Sequence, residues 1–157
     1  MHRLALTATT AAALLLAAPA FAEISKDEYK AQVEPICKTN AQASDKYLKV
    51  VRGLVKKNKL KQAGENFTKA AAALERAQKQ LAVVEQPPSD SVKLTKWVNG
   101  IKGQITLMRT IAAKFKAGKK TAATSLVVKL SHNATQTNNL VVPFNFKYCR
   151  IDPAKYS

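Results

Sequence analysis

The chain has 157 residues, with 26 Lys and Arg against 10 Asp and Glu, and its formal net charge at pH 7 is +16. A length of this order is typical of one domain, and 46% hydrophobic residues suffice for a single core. The five Gly and six Pro are too few for a collagen-like or Pro/Gly-rich disordered chain. The positive charge favours acidic partners and discourages self-association through like faces.

The first 22 residues have the pattern of a secretory signal peptide. A cationic start at His2-Arg3 is followed by the uncharged, Ala- and Leu-rich residues 4–18, and residues 20–22 (Ala-Phe-Ala) form a small-residue cleavage site. The apolar run is shorter than the ~20 residues that a membrane span needs, and no Cys stands at the cleavage site for lipid attachment. The sequence predicts a secreted or periplasmic mature chain, residues 23–157, that forms one domain without a transmembrane segment.

The mature chain contains two Cys, Cys37 and Cys149, near its opposite ends. An even number of Cys in an oxidising compartment favours a disulfide. Redox-active pairs usually lie close in sequence as C-x-x-C, which this pair does not. We therefore expect a structural Cys37–Cys149 bridge, with a redox-active pair as the less favoured alternative.

The first predicted helix begins at the capping box Ser25-Lys26-Asp27-Glu28 and continues as an apolar stripe at steps of three and four from Tyr29 to Val55. Pro35 lies inside this stripe, so we expect a kink or break there. The second stripe extends from Leu60 to Val84, and its Ala-rich middle would let neighbouring helices approach closely.

The third predicted helix follows Pro87-Pro88, with Ser89-Asp90 as its N-cap, and its stripe ends before Gly118, which is typical of a left-handed C-terminal glycine. The fourth stripe extends over residues 121–141. Pro143 ends it, and residues 144–157 form an irregular aromatic tail that carries Cys149. Four helices with short connections predict an all-α, antiparallel up-down-up-down four-helix bundle tied by one disulfide. The alternative is a pair of long helical hairpins that need a second chain to bury their stripes.

Motifs along the mature chain resemble an uncharacterised family of small secreted or lipoprotein-type bacterial proteins. They are Tyr29-x7-Cys37 near the start, Pro87-Pro88, Trp97, and Phe146-x2-Cys149 near the end. The resemblance implies a disulfide-tied helical bundle and no particular activity. This chain differs from the pattern because it is strongly basic and lacks a lipid-attachment Cys.

The mature chain has few residues suited to catalysis or to cofactor binding. His132 is its one histidine and lies off the apolar stripe of helix four, so it should face solvent. A haem held between His132 and Met108 is disfavoured because Met108 is on its own core stripe. No phosphate loop, nucleophile elbow or cluster of metal ligands is present. We expect neither an enzyme nor a bound cofactor.

The aromatic end of the predicted bundle allows two interpretations. Its rings are contributed by Trp97, Phe144, Phe146, Tyr148 and Tyr156. The favoured interpretation is that these rings cover the open end of the bundle and shield the disulfide. The alternative function is a carrier that binds a small apolar ligand or cofactor at this end or in the core.

Lysines cluster at two turns that an up-down-up-down bundle brings to the same end. The cluster consists of Lys56, Lys57, Lys59 and Lys61 at the first turn and Lys114, Lys116, Lys119 and Lys120 at the third. Most of the acids fall toward the other end: Glu23, Asp27, Glu28, Glu34, Glu85, Asp90 and Asp152. Two explanations stand side by side. The lysines could serve only solubility and the helix dipoles, or they could bind an anionic cell-envelope polymer, lipid headgroups or extracellular nucleic acid without sequence specificity.

Overall fold

The computed structural model describes residues 23–152, and four long helices carry the fold. They are α1 (Lys26–Leu48), α3 (Leu60–Leu81), α4 (Ser91–Lys116) and α5 (Lys120–Leu140), with a short helix α2 (Val51–Lys56) before α3. Two 3-10 turns, Pro88–Asp90 and Val142–Phe144, precede α4 and follow α5. Helix α3 packs against α1 and α4, and α4 packs against α5. The predicted all-α antiparallel bundle is confirmed, whereas the predicted signal peptide and Tyr156 lie outside the described residues.

The ends of the helices follow local chemistry in most places. At the start of α1 the Glu28 N–H donates to Ser25 Oγ at 3.2 Å, and Ser25 N–H donates to the Glu28 carboxylate at 2.8 Å, which completes the predicted capping box. Gly118 has φ +71° at the end of α4, as predicted. Asp90 takes the N-cap position of α4, but its side chain makes no capping hydrogen bond and is used in ion pairs instead.

The break predicted at Pro35 is wrong, because α1 continues through Pro35 to Leu48. Val33 and Cys37, on either side of the proline, are both buried. Their packing holds the helical path although the proline cannot donate a backbone hydrogen bond. The stripe is interrupted later, at Lys49-Val50, where α1 ends and α2 follows.

The core is built from the predicted stripes of α1, α3, α4 and α5. Every stripe position of α4 is buried, from Leu94 through Met108 to Phe115. The rings of Phe67 on α3 and Phe115 on α4 stack with their centroids 5.9 Å apart. In the Ala-rich middle of α3, Ala70, Ala71 and Ala73 are buried, in line with the predicted close approach of the neighbouring helices.

The tail after α5 is irregular but tightly held. Cys149 forms the predicted disulfide with Cys37 on α1, with the Cα atoms 4.9 Å apart. The Glu34 carboxylate accepts the backbone N–H groups of Lys147 and Tyr148. The bridge closes a sequence separation of 112 residues, which restrains the unfolded chain by about 5 kcal/mol on the entropy model.

A disulfide of this kind fits an oxidising compartment. Within residues 23–152, no helix combines the length and the apolar character that crossing a membrane requires.

Candidate anion-binding site

The start of α3 and the end of α4 lie side by side, so the α2–α3 and α4–α5 turns occupy the same end of the bundle. The ammonium of Lys116 donates to Thr68 Oγ1 at 3.0 Å across the two helices. Gly64 is so close to α4 that a Cβ built on it would lie 2.7 Å from the backbone oxygen of Ala112. This contact brings both lysine-bearing turns together.

We call the eight lysines at these turns the lysine pole: Lys56, Lys57, Lys59, Lys61, Lys114, Lys116, Lys119 and Lys120. Seven of them are exposed and Lys114 is half-buried. Among the described residues, no acid lies within ion-pair distance of any of them. The described bundle therefore presents a group of uncompensated positive charges at one end.

The two turns of the lysine pole share one backbone design. Each contains a residue with positive φ, Asn58 at 54° and Gly118 at 71°. The next residue, Lys59 or Lys119, is the N-cap of the following helix, with nearly the same φ and ψ in both cases. A lysine cannot accept a hydrogen bond from the first helical N–H groups, and neither N-terminus has a side-chain cap or an acid in its first turn.

The helix dipoles therefore account for only half of the lysine pole. Lys56 and Lys116 end helices α2 and α4, and Lys57 and Lys114 lie within the same C-terminal turns, where positive charge is favourable. The other four, Lys59, Lys61, Lys119 and Lys120, lie at the N-termini of α3 and α5. Positive charge at a helix N-terminus is unfavourable by about 0.3–1 kcal/mol per residue at the surface.

Acids at the opposite end of the bundle have structural partners. The buried Asp90 carboxylate lies 3.2 Å from Lys26 Nζ and 3.9 Å from Lys93 Nζ. Burial alone would raise the pKa of Asp90, but hydrogen bonds from Lys26 and Ser89 and the charges of Lys26 and Lys93 lower it below its ordinary value. Hydrogen bonds from the Ser25 backbone and side chain also lower the pKa of Glu28. The carboxylates of Asp90 and Glu28 therefore stabilise the fold through contacts within the bundle.

The aromatic end is filled by rings packed on rings. Phe144 and Phe146 stack with their centroids 5.3 Å apart, Phe146 lies 5.7 Å from the Trp97 ring, and Tyr29 contacts both phenylalanines. Tyr148 is half-buried and packs against the same hydrophobic core. Burial raises the pKa of Tyr29 to about 12. This packing supports the predicted role of the rings as a cover for the end of the bundle.

His132 is exposed on α5, as predicted, whereas Met108 is buried in α4. Over residues 23–152, His, Cys, Asp and Glu form no group of three that could hold a metal ion.

A groove along the outer face of α4 was not predicted from the sequence. It has a volume of about 590 Å³ and is lined by Thr106, Arg109, Thr110, Ala113, Lys114, Ala117 and Lys119. The signal was present in the spacing of residues 106 to 117, at steps of three and four, but these positions lie between the core positions of α4. The groove reaches the lysine pole through Lys114 and Lys119.

Comparison with family models, curated proteins and solved structures gives no match to this chain. The resemblance to small secreted bacterial proteins therefore stays a prediction from the sequence.

Proposed function

We propose that the mature protein, exported after removal of residues 1–22, is a non-catalytic module that binds anionic polymers or surfaces through the lysine pole. The observation that carries the proposal is the placement of four of its lysines. Lys59, Lys61, Lys119 and Lys120 lie at the N-termini of α3 and α5, where neither the helix dipole nor capping favours them. Solubility alone would be served equally well by lysines elsewhere on the surface.

The uncapped N-termini of α3 and α5 add to the attraction for anions. Their first backbone N–H groups have no side-chain partner, so these groups are donors that an anion can use. Lysine is a strongly hydrated point charge, which suits phosphate without demanding one geometry. Binding of this kind is weakly selective and arises mainly from counterion release.

The salt dependence measures how many lysines take part. On duplex DNA, the logarithm of the binding constant falls by roughly 0.9 per neutralised phosphate for each tenfold rise in salt. Engagement of six lysines would therefore give a slope of about −5. We expect such a slope for inorganic polyphosphate, vesicles containing an anionic phospholipid, or duplex DNA.

The test compares two triple variants with the same change in net charge. Lys57→Gln, Lys59→Gln and Lys61→Gln remove charge from the lysine pole. The control consists of Lys96→Gln, Lys102→Gln and Lys129→Gln, three exposed lysines on the sides of α4 and α5. Lys26, Lys30 and Lys93 are unsuitable controls because they contact Asp90 or the backbone oxygen of Asn145.

We expect the pole variant to lose about tenfold or more in affinity for at least one of the three probes and to flatten the salt slope by about 2–3. The control should lose less than about threefold, because its lysines act only through the long-range field. Equal losses in the two variants would mean that net charge alone explains binding. Circular dichroism of both variants checks that the fold is intact.

One observation favours a second candidate function, binding of a small apolar ligand in the core. Tyr29 Oη, Trp97 Nε1 and both amide atoms of Gln104 are buried without a hydrogen-bond partner among the described residues. A ligand that carries a polar group could pair with one of them. Native mass spectrometry of protein purified from the exporting host tests this, because a carrier would retain a bound small molecule.

A further inference from the structure

The groove on the outer face of α4 combines positive charge, hydroxyl groups and small apolar side chains. Its lining includes the cationic residues Arg109, Lys114 and Lys119 together with Ala113 and Ala117. From Thr106 to Ala117 the groove follows eleven residues of helix, or about 16 Å along the axis. A strip of this length along one helix matches a short stretch of one extended chain.

Arg109 is the residue that distinguishes the groove from the rest of the basic end. Its Nη2 donates to Glu75 on α3 at 2.7 Å, which fixes the planar guanidinium against the bundle. The remaining nitrogens of Arg109 have no partner within residues 23–152 and can still donate to a phosphate. A fixed, planar donor group recognises phosphate more selectively than a mobile lysine.

Two threonine hydroxyls in the groove indicate which chemical groups a phosphate-containing ligand would carry between its phosphates. Thr106 Oγ1 donates to the backbone oxygen of Lys102 at 3.2 Å, and Thr110 Oγ1 donates to the backbone oxygen of Thr106 at 3.0 Å. Each hydroxyl has one proton, so these oxygens are left as acceptors toward the groove. Acceptors beside a line of cations suit a ligand that alternates anionic groups with hydroxyl donors.

We propose that this groove seats one linear polyol-phosphate chain, a polymer in which phosphate groups are linked by hydroxyl-bearing carbon units. The phosphates pair with Arg109, Lys114 and Lys119, the carbon units lie on Ala113 and Ala117, and their hydroxyls donate to the threonines. This inference rests on the proposed function, because Lys114 and Lys119 belong to the lysine pole. It adds a defined binding site and a ligand class to an otherwise unselective surface.

The main test places the same negative charge inside and beside the groove. Ala113 lines the groove, whereas Ala122 is exposed in the first turn of α5, close to the lysine pole but outside the groove lining. We expect Ala113→Glu to weaken binding of poly(glycerol phosphate) about tenfold, as for loss of a charged hydrogen bond. Ala122→Glu should weaken it less than threefold, because its charge acts only at a distance.

A second pair of variants tests the fixed arginine. Arg109→Gln should weaken binding of the same polymer about tenfold, whereas Arg76→Gln should have little effect. Arg76 is the matched control because it is exposed on α3 and lines the depression between α1 and α3 instead. Thr110→Val should weaken poly(glycerol phosphate) more than inorganic polyphosphate of equal charge, since polyphosphate has no hydroxyls along its chain.

The outcomes separate this inference from the proposed function. Equal losses of affinity for poly(glycerol phosphate) in Ala113→Glu and Ala122→Glu, or in Arg109→Gln and Arg76→Gln, would overturn the proposal that the groove is a binding site. The proposed role of the lysine pole would then still stand. Tighter binding of single-stranded RNA or of anionic vesicles than of poly(glycerol phosphate) would overturn the ligand class. If the variant of Lys57, Lys59 and Lys61 binds all probes normally, the proposed function itself fails, whatever the groove variants do.

Discussion

The close approach of α3 and α4 at Gly64 predicts opposite effects for the same substitution at two glycines. In Gly64→Ala, the new methyl carbon would lie 2.7 Å from the Ala112 oxygen and 3.2 Å from the Lys116 nitrogen, both backbone atoms of α4. Backbone atoms within a helix cannot move aside separately, so the two helices must separate. Overpacking of this kind costs about 3 kcal/mol at the upper end of its range, against a gain of about 1 kcal/mol in helix propensity.

The net loss of about 2 kcal/mol should lower the melting temperature by about 6 °C for a domain of this size. Gly53→Ala is the matched control, because a Cβ on Gly53 in α2 has nothing within 4 Å. That variant should gain up to about 1 kcal/mol in stability. Thermal and urea unfolding followed by circular dichroism measure both. If Gly64→Ala melts at or above the wild-type temperature, the close packing that joins the two lysine turns is refuted.

Three further predictions concern pH and buried polar groups. The lowered pKa of Asp90 means that its contribution to stability is present above the ordinary value of 3.8 and is lost as the pH falls through the folded-state value. Asp90→Asn should therefore flatten the acid side of the unfolding profile below about pH 4, and an unchanged profile would contradict the ion pairs. Tyr29→Phe removes a buried hydroxyl without a partner and should raise the free energy of unfolding by about 1 kcal/mol at neutral pH. The raised pKa of Tyr29 also predicts that wild-type stability declines between pH 10.0 and about 12, a decline that the Phe variant should largely lose and that alkaline unfolding curves would detect.

The sequence predicts the core well because burial in a helix repeats at every third or fourth residue. The stripe of α4 from Leu94 to Phe115 is found buried as expected. The break predicted at Pro35 is wrong because the free-energy cost of the proline in the helix is smaller than the stabilisation from packing the buried Val33 and Cys37. Local propensity is a weak guide where tertiary contacts fix the path of a helix.

The surface is harder to predict than the core. The joining of the two lysine turns follows from the topology, but the placement of Lys59 and Lys119 as N-caps does not, because Ser, Thr, Asn and Asp are the residues expected there. The groove beside Arg109 also escapes prediction, because its lining positions lie between the core positions of α4 and the ion pair of Arg109 joins α4 to α3. Glu75, which holds Arg109, lies 34 residues away in the sequence.

The Cys37–Cys149 bridge has a consequence for how the protein responds to proteolysis. A protease that cuts after lysine would find exposed sites at the turns near Lys57 and Lys119. Both turns lie inside the covalent ring that the bridge closes. A single nick would therefore leave the two fragments bonded and at high effective concentration for each other. Cleavage at either turn would not by itself release either half of the bundle.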